Sequence, residues 1–296
     1  MPFPYIHETE ELTDSLRQSV SQNSGRDFIA LPNGYTHYGL VGDEDAETIV
    51  LVHGFSVPNF IWEPTFRALT KAGFRVLRYD LFGRGYSDRP KTRYNLDLFA
   101  NQLRDLLDAL NIKEPINLFG LSMGGPITAT FTTRHPERVK RLALFAPAGG
   151  KTIPLSAAYK TLLIPSIGEL LMGLLGKKTL IDGVAEDFYE PELIAHFQNQ
   201  YKPQLKIQGF GRAIISTMRH DALGDSSAVY KSVGELDIPT LLIWGRDDKT
   251  VPYDQAKIVI PNLKQVRFHT IENSGHIPHY ENADEVNPII FDFLKN

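Results

Sequence analysis

A tight turn around Ser122 constrains the fold of this chain more than any other segment. Ser122 stands between Gly120 and Gly124 in a Gly-x-Ser-x-Gly pentapeptide. The apolar run 116–119 before it predicts a short buried strand, and 127–133 after it can continue as a helix. Glycines at both positions allow a strand to turn sharply into a helix, where larger side chains would collide. The segment therefore predicts a strand–turn–helix unit with a serine at its apex.

A serine hydroxyl is a poor nucleophile unless a neighbouring base takes its proton. Exposure at a sharp turn is one of the conditions that such a serine needs. The pentapeptide alone is a weak signal, because short motifs recur by chance. A serine that only caps the following helix is the alternative that this segment leaves open.

Two later segments carry the partners that a nucleophilic serine requires. Asp247 and Asp248 follow the predicted strand 240–244, and His276 follows the predicted strand 265–270. Functional groups gather at the carboxyl ends of strands in open α/β sheets. The chain order serine, aspartate, histidine is one of the orders known for a catalytic triad, and it accompanies the Gly-x-Ser-x-Gly turn.

Strand and helix patterns alternate along much of the chain. The predicted strands are 27–31, 36–41, 48–53, 74–79, 116–120, 141–146, 240–244 and 265–270, and the predicted helices are 62–72, 97–110, 124–134 and 282–295. This alternation predicts an α/β fold with a mostly parallel sheet and helices on both faces. The first two or three strands are joined by short turns and are expected to form an antiparallel edge.

The alternation divides the chain into three parts. Residues 1–25 predict a polar helical extension, and 26–147 together with 235–296 predict the α/β core. Residues 148–234 are helix-like throughout and predict a helical cap inserted into the core. Within the cap, 162–176 is nearly uncharged. It is too short and too rich in glycine for a membrane span. It either packs on the core or forms an apolar lid that makes transient contact with lipid surfaces.

Composition fits one soluble enzyme domain. The chain has 296 residues, of which 42% are hydrophobic and 22% are charged. A net charge of -4 gives no reason to expect nucleic acid as a partner. The chain has no cysteine, which excludes disulfides and thiol catalysis. The first residues lack the basic start and apolar core of a signal peptide, so a cytoplasmic location is expected.

Taken together, these motifs resemble the α/β-hydrolase superfamily of serine hydrolases, and the resemblance covers nearly the whole chain. Its esterase-like and monoacylglycerol lipase-like members are the most similar. The segments that carry the resemblance are 51–55, 79–87, 120–125, 244–252 and 275–276.

The resemblance implies a role for each triad residue. Ser122 is the expected nucleophile, His276 the base and Asp248 the acid. Asp248 is preferred to Asp247 because the acid of the family usually stands four residues before the proline of this loop, here Pro252.

The same resemblance assigns the oxyanion hole. Its backbone N–H donors are expected at Met123, which follows the nucleophile, and at Phe55. The Phe55 side chain remains free to line an acyl pocket, and Leu171 of the cap is expected to bind substrate as well. His53 is expected to be structural.

No cofactor and no metal ion are expected. His276 and His279 form an H-x-x-H pair, but no third cluster of ligands is visible in the sequence. Zinc sites need three or four ligands, so the pair does not predict one.

The function expected from the resemblance is hydrolysis of a carboxylic ester, with a hydrophobic ester as the small-molecule partner. Two alternatives remain open. Hydrolases that cleave carbon–carbon bonds of dienone acids share the fold and triad, but those carry additional polar residues near the nucleophile and a tryptophan after the histidine. Here Phe119 precedes the turn and Ile277 follows His276. The other alternative is a small-molecule-binding protein without catalysis, since fold does not fix function.

Overall fold

The computed structural model describes Tyr5 and residues 7–24, 26–151 and 157–295. Its centre is an eight-stranded sheet with the strand order β1-β2-β4-β3-β5-β6-β7-β8. The strands are β1 (Asp27–Leu31), β2 (Gly34–Val41), β3 (Thr48–Val52), β4 (Arg75–Tyr79), β5 (Ile116–Leu121), β6 (Val139–Phe145), β7 (Thr240–Gly245) and β8 (Val266–Ile271). Each of the eight predicted strands is confirmed, with small differences at the ends.

Helices cover both faces of the sheet. They are α1 (Asp14–Ser24), α2 (Glu63–Lys71), α3 (Leu96–Ala109), α4 (Gly124–Arg134), α5 (Ala157–Leu162), α6 (Ile167–Leu171), α7 (Lys177–Gly183), α8 (Ile194–Tyr201), α9 (Phe210–Arg219), α10 (Ser227–Gly234), α11 (Ala256–Val259), α12 (Pro278–Glu281) and α13 (Ala283–Lys295). Among the described helices, none combines the length and the apolar character that a membrane crossing needs.

Strand directions confirm the predicted α/β architecture. β1 pairs with β2, and β2 with β4, in antiparallel register, so the antiparallel edge contains two strands. β3, which the sequence left undecided, pairs in parallel with both β4 and β5. The remaining pairs are parallel as well. Parallel strands bring the segments that follow β3, β5, β7 and β8 to the same edge of the sheet.

The central strands are apolar throughout because both of their faces are covered. In β3, Val50 and Val52 belong to the core on one side of the sheet, where α3, α4 and α10 pack. Ile49 and Leu51 belong to the core on the other side, where α2 and α13 pack. All five residues of β3 are buried, so the strand has no polar face.

A helical insertion, defined here as the described residues 157–219 with helices α5 to α9, lies between β6 and β7. The next helix, α10, packs against α4 of the core, and buried Tyr230 and Val233 belong to the same core cluster as α4 residues. The predicted division of the chain into core and cap stays a prediction.

The N-terminal segment contacts both the insertion and the core. The N–H of Glu10 donates to the carbonyl of Lys206 at 2.9 Å, and the N–H of Gln208 donates back to the Glu10 carbonyl at 2.8 Å. In α1, the Arg17 guanidinium donates to the Asp88 carboxylate at 2.7 Å. Of the predicted helical extension, the structure describes a helix over 14–24 only; residues 1–4, 6 and 25 lie outside the described residues.

Candidate active site

The turn after β5 holds Ser122 in an unfavourable backbone conformation. Its φ is +53°, a region that residues with a side chain rarely adopt. Three backbone hydrogen bonds hold it there: the Ser122 N–H donates to the Phe145 carbonyl at 2.9 Å, and the Ser122 carbonyl accepts from Gly125 at 2.9 Å and Ala148 at 3.0 Å. Strain of this kind persists where the surroundings determine the conformation, and it is frequent at functional sites.

The two glycines of the turn are required by close approaches of backbone to backbone. A Cβ on Gly120 would lie 2.5 Å from the carbonyl oxygen of Gly124. A Cβ on Gly124 would lie 2.4 Å from the carbonyl oxygen of Val52. Neither contact is sterically possible, so the spacing seen in the sequence follows from how tightly α4 packs against β3 and β5.

Asp248 and His276 form a buried pair at the ends of β7 and β8. The Nδ1 of His276 lies 2.8 Å from Oδ2 of Asp248. Oδ2 also accepts from the Trp244 indole at 3.1 Å, while Oδ1 accepts from the N–H groups of Thr250 at 2.9 Å and Val251 at 2.8 Å. A carboxyl group with four donors is fixed in position, which suits an acid that orients an imidazole.

Asp247 lies in a different environment from Asp248. It is exposed, and its N–H donates to the Ser274 carbonyl at 2.9 Å as part of the loop. The structure therefore brings together His276 and the carboxylate that the sequence preferred, and leaves the neighbouring one in solvent.

Two opposing effects act on the pKa of His276. Burial lowers it, but the charge of Asp248 and the hydrogen bond to it outweigh burial, with a further contribution from the charge of Asp187. The net pKa is raised above the ordinary histidine value, so this imidazole is a stronger base than a histidine in water. With Nδ1 bound to Asp248, Nε2 remains for a serine proton.

The loop after β3 lies beside the nucleophile. A Cβ on Gly54 would lie 3.1 Å from the Ser122 Cβ and 3.5 Å from its Oγ. The next residue, Phe55, has its carbonyl bound by the buried Arg84 side chain, whose Nε donates to it at 2.7 Å. Within the described residues, the N–H groups of Phe55 and Met123 donate to no protein acceptor. Their role as oxyanion donors stays a prediction.

His53 is engaged in the loop rather than in the site. The Leu81 N–H donates to its Nε2 at 2.9 Å, so Nδ1 carries the proton and donates to the Gly54 carbonyl at 3.0 Å. Burial lowers the pKa of His53 to about 4, which keeps the imidazole neutral. This environment is the structural one that the sequence predicted for it.

The second histidine of the H-x-x-H pair packs against aromatic side chains. His279 is fully buried, with its ring centroid 4.2 Å from that of Trp62 and 5.5 Å from that of Phe145. Burial lowers the pKa of His279 to about 3. The described part of the chain contains no group of three or more histidine, cysteine, aspartate or glutamate side chains arranged to bind a metal ion.

An apolar cavity of about 290 Å³ lies between the Phe55 loop and the insertion. Phe55 and Leu171 both line it, and their role in binding substrate stays a prediction. The other lining residues have no charged side chain among them: Thr161, Leu162, Met172, Leu175, Gly176, Thr179, Leu180, Ile214 and Met218. The cavity can therefore take a hydrophobic group, and Phe55, which lines it, directly follows Gly54 beside Ser122.

The outer side of the same helices is also apolar. The exposed large hydrophobic residues of the insertion that lie outside the cavity lining include Ile164, Ile167, Leu170 and Leu174. Contact of this surface with lipid stays a prediction.

Sequence reasoning missed several residues that surround the triad. Trp244 and Thr250, which donate to Asp248, lie inside a recognised motif but carry no catalytic signature of their own. Asp187 and Glu281 contact the loops of the Asp248–His276 pair. Asp187 is distant from these loops in the sequence, so no local sequence pattern predicts its contacts.

Comparison with known proteins agrees with this geometry. A family model described as serine aminopeptidase, S33, matches residues 43–283. A 2-hydroxy-6-oxononadienedioate/2-hydroxy-6-oxononatrienedioate hydrolase of Paraburkholderia xenovorans is 28% identical over 94% of this chain and 98% of its own length. A 2-hydroxy-6-oxo-6-phenylhexa-2,4-dienoate hydrolase of Comamonas testosteroni is 29% identical over 96% of this chain and 99% of its own.

A solved structure extends the similarity to the fold. The enol-lactonase from Burkholderia xenovorans superimposes with a TM-score of 0.77 at 25% identity, covering 91% of this chain and all of its own. The family match spans β3 to β8, the serine turn and the histidine loop. The chain is therefore a hydrolase and belongs to the serine aminopeptidase S33 family of the α/β-hydrolase superfamily.

Proposed function

We propose that this hydrolase cleaves a carbon–carbon bond next to a ketone in a 6-oxo-dienoate whose acyl half is hydrophobic. The observation that carries the proposal is the uncharged cavity lined by Phe55, the residue after Gly54, which packs against Ser122. The names of the two relatives supply the class of bond. This proposal replaces the carboxylic ester that the sequence favoured with the alternative that it left open.

In the proposed reaction, Ser122 Oγ attacks the ketone carbon while His276 Nε2 takes its proton. The N–H groups of Phe55 and Met123 receive the negative charge that develops on the carbonyl oxygen. Each such donor contributes about 3 kcal/mol to transition-state stabilisation in comparable enzymes. Asp248 keeps the imidazole in the required tautomer and stabilises its charged form.

The adjacent carbon–carbon bond then breaks. For that bond to release its electron pair into conjugation, the proton of the 2-hydroxyl first moves to the carbon next to the ketone, which turns the dienol into a diketone with one remaining carbon–carbon double bond. On cleavage the electron pair passes through this double bond to the 2-oxygen as a dienolate, and that oxygen takes the proton held by His276. The acyl group stays on Ser122 Oγ until water, activated by the same histidine, releases it as a carboxylic acid. Water is the sole co-reactant, so the sum of the two steps balances without a cofactor.

The cavity discriminates between the two kinds of substrate that the relatives' names describe. A dienedioate carries a second carboxylate at its far end, and burying that charge without a partner is costly. A 6-phenyl ketone presents an apolar ring instead. Because no charged side chain lines the described cavity, a phenyl or alkyl acyl group is the better match.

Hydrolysis of a hydrophobic carboxylic ester is the second candidate. Buried Ile277 follows His276, whereas a carbon–carbon bond hydrolase of dienone acids is expected to have a tryptophan at this position. The structural similarity to an enol-lactonase, which by its name acts on a cyclic ester, also favours this candidate. An ester requires the same attack and oxyanion stabilisation, but its alkoxide leaving group needs no conjugated acid.

A substrate panel distinguishes the candidates. We expect 2-hydroxy-6-oxo-6-phenylhexa-2,4-dienoate to give a kcat/KM at least roughly tenfold above that of p-nitrophenyl esters, monoacylglycerols and the dienedioate. The Ser122→Ala variant serves as the control for each substrate. Faster turnover of long-chain esters would favour the second candidate, and faster turnover of the dienedioate would contradict a hydrophobic acyl half.

A further inference from the structure

A carboxylate of the insertion, Asp187, lies against the loops of the Asp248–His276 pair. The main-chain N–H of His276 donates to the Asp187 carbonyl oxygen at 2.8 Å. The hydroxyl of Thr250 donates to Oδ1 of Asp187 at 2.6 Å. The N–H of the same threonine donates to Oδ1 of Asp248 at 2.9 Å. One residue of the insertion therefore contacts both the loop with the acid and the loop with the base.

This approach is tight enough to require a glycine. A Cβ on Gly275 would lie 2.3 Å from the Asp187 carbonyl oxygen. Glu281 of α12 joins the same two segments from the other side, because Oε1 accepts from the Gly275 N–H at 2.9 Å and Oε2 from the Tyr189 N–H at 2.7 Å. The contact between insertion and histidine loop is therefore built from several independent bonds.

We propose that Asp187 is a positioning residue for the Asp248–His276 pair, through its bond to Thr250, its carbonyl at His276 and its charge beside the imidazole. The inference rests on the proposed catalytic roles of Ser122, Asp248 and His276. It does not depend on which bond the enzyme cleaves, because every acyl transfer at Ser122 uses the same base.

The charge of Asp187 changes in the pH range where enzymes work. Asp187 is a half-buried residue, and the surroundings of its carboxyl group disfavour the charged form. Burial raises its pKa to about 6, the charges of Asp248 and Glu186 add to that effect, and His276 and the Thr250 hydroxyl oppose it. Glu281 also packs against the Asp187 segment, because it accepts from the N–H groups of Tyr189 and Gly275. When Asp187 is ionised, its charge raises the pKa of His276.

An imidazolium forms when Ser122 gives up its proton, and a second carboxylate beside it stabilises that charge. Asparagine at position 187 keeps an oxygen that can accept from the Thr250 hydroxyl, but it removes the charge. His276 then loses its proton at lower pH and is also a weaker base. The two consequences have different signatures in a pH profile.

The test measures the rate of fluorophosphonate labelling at Ser122 and the hydrolysis of p-nitrophenyl acetate from pH 5 to pH 9. For Asp187→Asn, we expect the midpoint of the acidic limb to fall by about 0.5 to 1 pH unit. The plateau at high pH is expected to fall roughly 3- to 10-fold, with KM changed by less than about twofold. The matched comparison is Glu186→Gln, which removes an exposed neighbouring charge that raises the pKa of Asp187. Its loss leaves Asp187 more fully ionised, so it should shift the midpoint by much less than Asp187→Asn and in the opposite direction.

A second variant protects the test against a folding defect. Thr250→Val removes the hydroxyl bound to Asp187 and is expected to shift the midpoint in the same direction by a smaller amount. The inference is overturned if Asp187→Asn leaves the midpoint unchanged, if Glu186→Gln shifts it equally, or if a loss of rate only follows a lowered Tm. A wild-type protein that does not react with the fluorophosphonate would overturn the proposed function as well.

Discussion

At the edge of the sheet, the candidate catalytic side chains are held by hydrogen bonds, whereas in the insertion the cavity wall is held by packing. Ser122 has three backbone bonds, and the Asp248 carboxylate has four donors. Leu171 and the other aliphatic residues of the cavity present only apolar contacts to one another. Hydrogen bonds fix direction, but packing of aliphatic groups fixes only volume and shape.

This difference indicates that the sheet edge carries out the chemistry and the insertion selects among substrates. Chemistry at a carbonyl requires atoms placed within a few tenths of an ångström, and rigid strand ends supply such placement. Selection among hydrophobic acyl groups requires a volume that substitution can adjust by small steps. A change in the core is therefore expected to alter the rate for every substrate, and a change in the insertion to alter the ranking of substrates.

The largest expected effect is that of Ser122→Ala. Without Oγ there is no acyl-enzyme, so kcat/KM should fall by about 10⁴-fold or more for every substrate, as in other triad enzymes. Alanine inherits the positive φ of the turn, so the melting temperature tests the fold separately. Mass spectrometry should locate the fluorophosphonate on Ser122 in the native protein. Ser56→Ala is the control, and labelling at Ser56 or Ser87 would refute the assignment.

The second prediction compares adjacent carboxylates within the core. Asp248→Asn puts an amide N–H₂ among groups that are all donors, so it should favour the wrong imidazole tautomer and reduce kcat by about 10³- to 10⁴-fold. Asp247→Asn changes an exposed loop residue and should cost less than about threefold. Steady-state kinetics of both variants decide the matter. Equal losses in kcat would show that Asp248 does not orient the imidazole of His276 as proposed.

Much of the core could be predicted from local signals. The central strands β3, β5 and β7 are short apolar runs, and Ser122 directly follows β5. Asp248 and His276 come within a few residues of the ends of β7 and β8. Parallel pairing then places the segments that follow these strands at the same edge of the sheet. The sequence also separated Asp248 from Asp247, but only through resemblance, since spacing alone left both carboxylates open.

The contacts of the insertion could not be predicted in the same way. Asp187 lies 89 residues before His276 and 63 residues before Thr250 in the chain, and no periodic pattern links them. Whether Leu171 or Leu174 faces the cavity depends on how short helices pack, which hydrophobicity alone does not distinguish. β3 was left undecided because a fully buried run does not reveal the direction of its partners.

A third prediction tests the substrate-selecting role of the insertion. Leu171→Asp places a charge in the cavity and should lower kcat/KM for long acyl groups about 10- to 100-fold, since each buried CH₂ contributes about 0.8 kcal/mol. Acetate esters, which do not reach the cavity, should change little. Leu174→Asp is the matched control, because Leu174 is 50% exposed and lies outside the cavity lining. A uniform loss that follows a lowered melting temperature would make Leu171 an ordinary packing residue.

The smallest expected effect concerns the N-terminal segment, which binds the start of α9, a helix of the cavity wall. Both carboxylate oxygens of Glu8 accept backbone N–H groups at the start of α9, from Gly209 and Gly211, each at 2.6 Å. The same helix carries Ile214 and Met218 of the cavity. Glu8→Ala leaves two N–H groups without these acceptors, which should destabilise the fold by about 1 to 2 kcal/mol.

We expect this loss to appear as a fall of a few degrees in the melting temperature, together with a rise of about twofold in KM for long acyl groups. Glu11→Ala is the control, because Glu11 is exposed in the same segment. Acetate hydrolysis should not change in either variant, since the strand ends that carry the triad are untouched. If Glu8→Ala slowed acetate and long-chain substrates equally, the catalytic edge and the insertion would be coupled through α9. The separation of chemistry from selection would then fail at that helix.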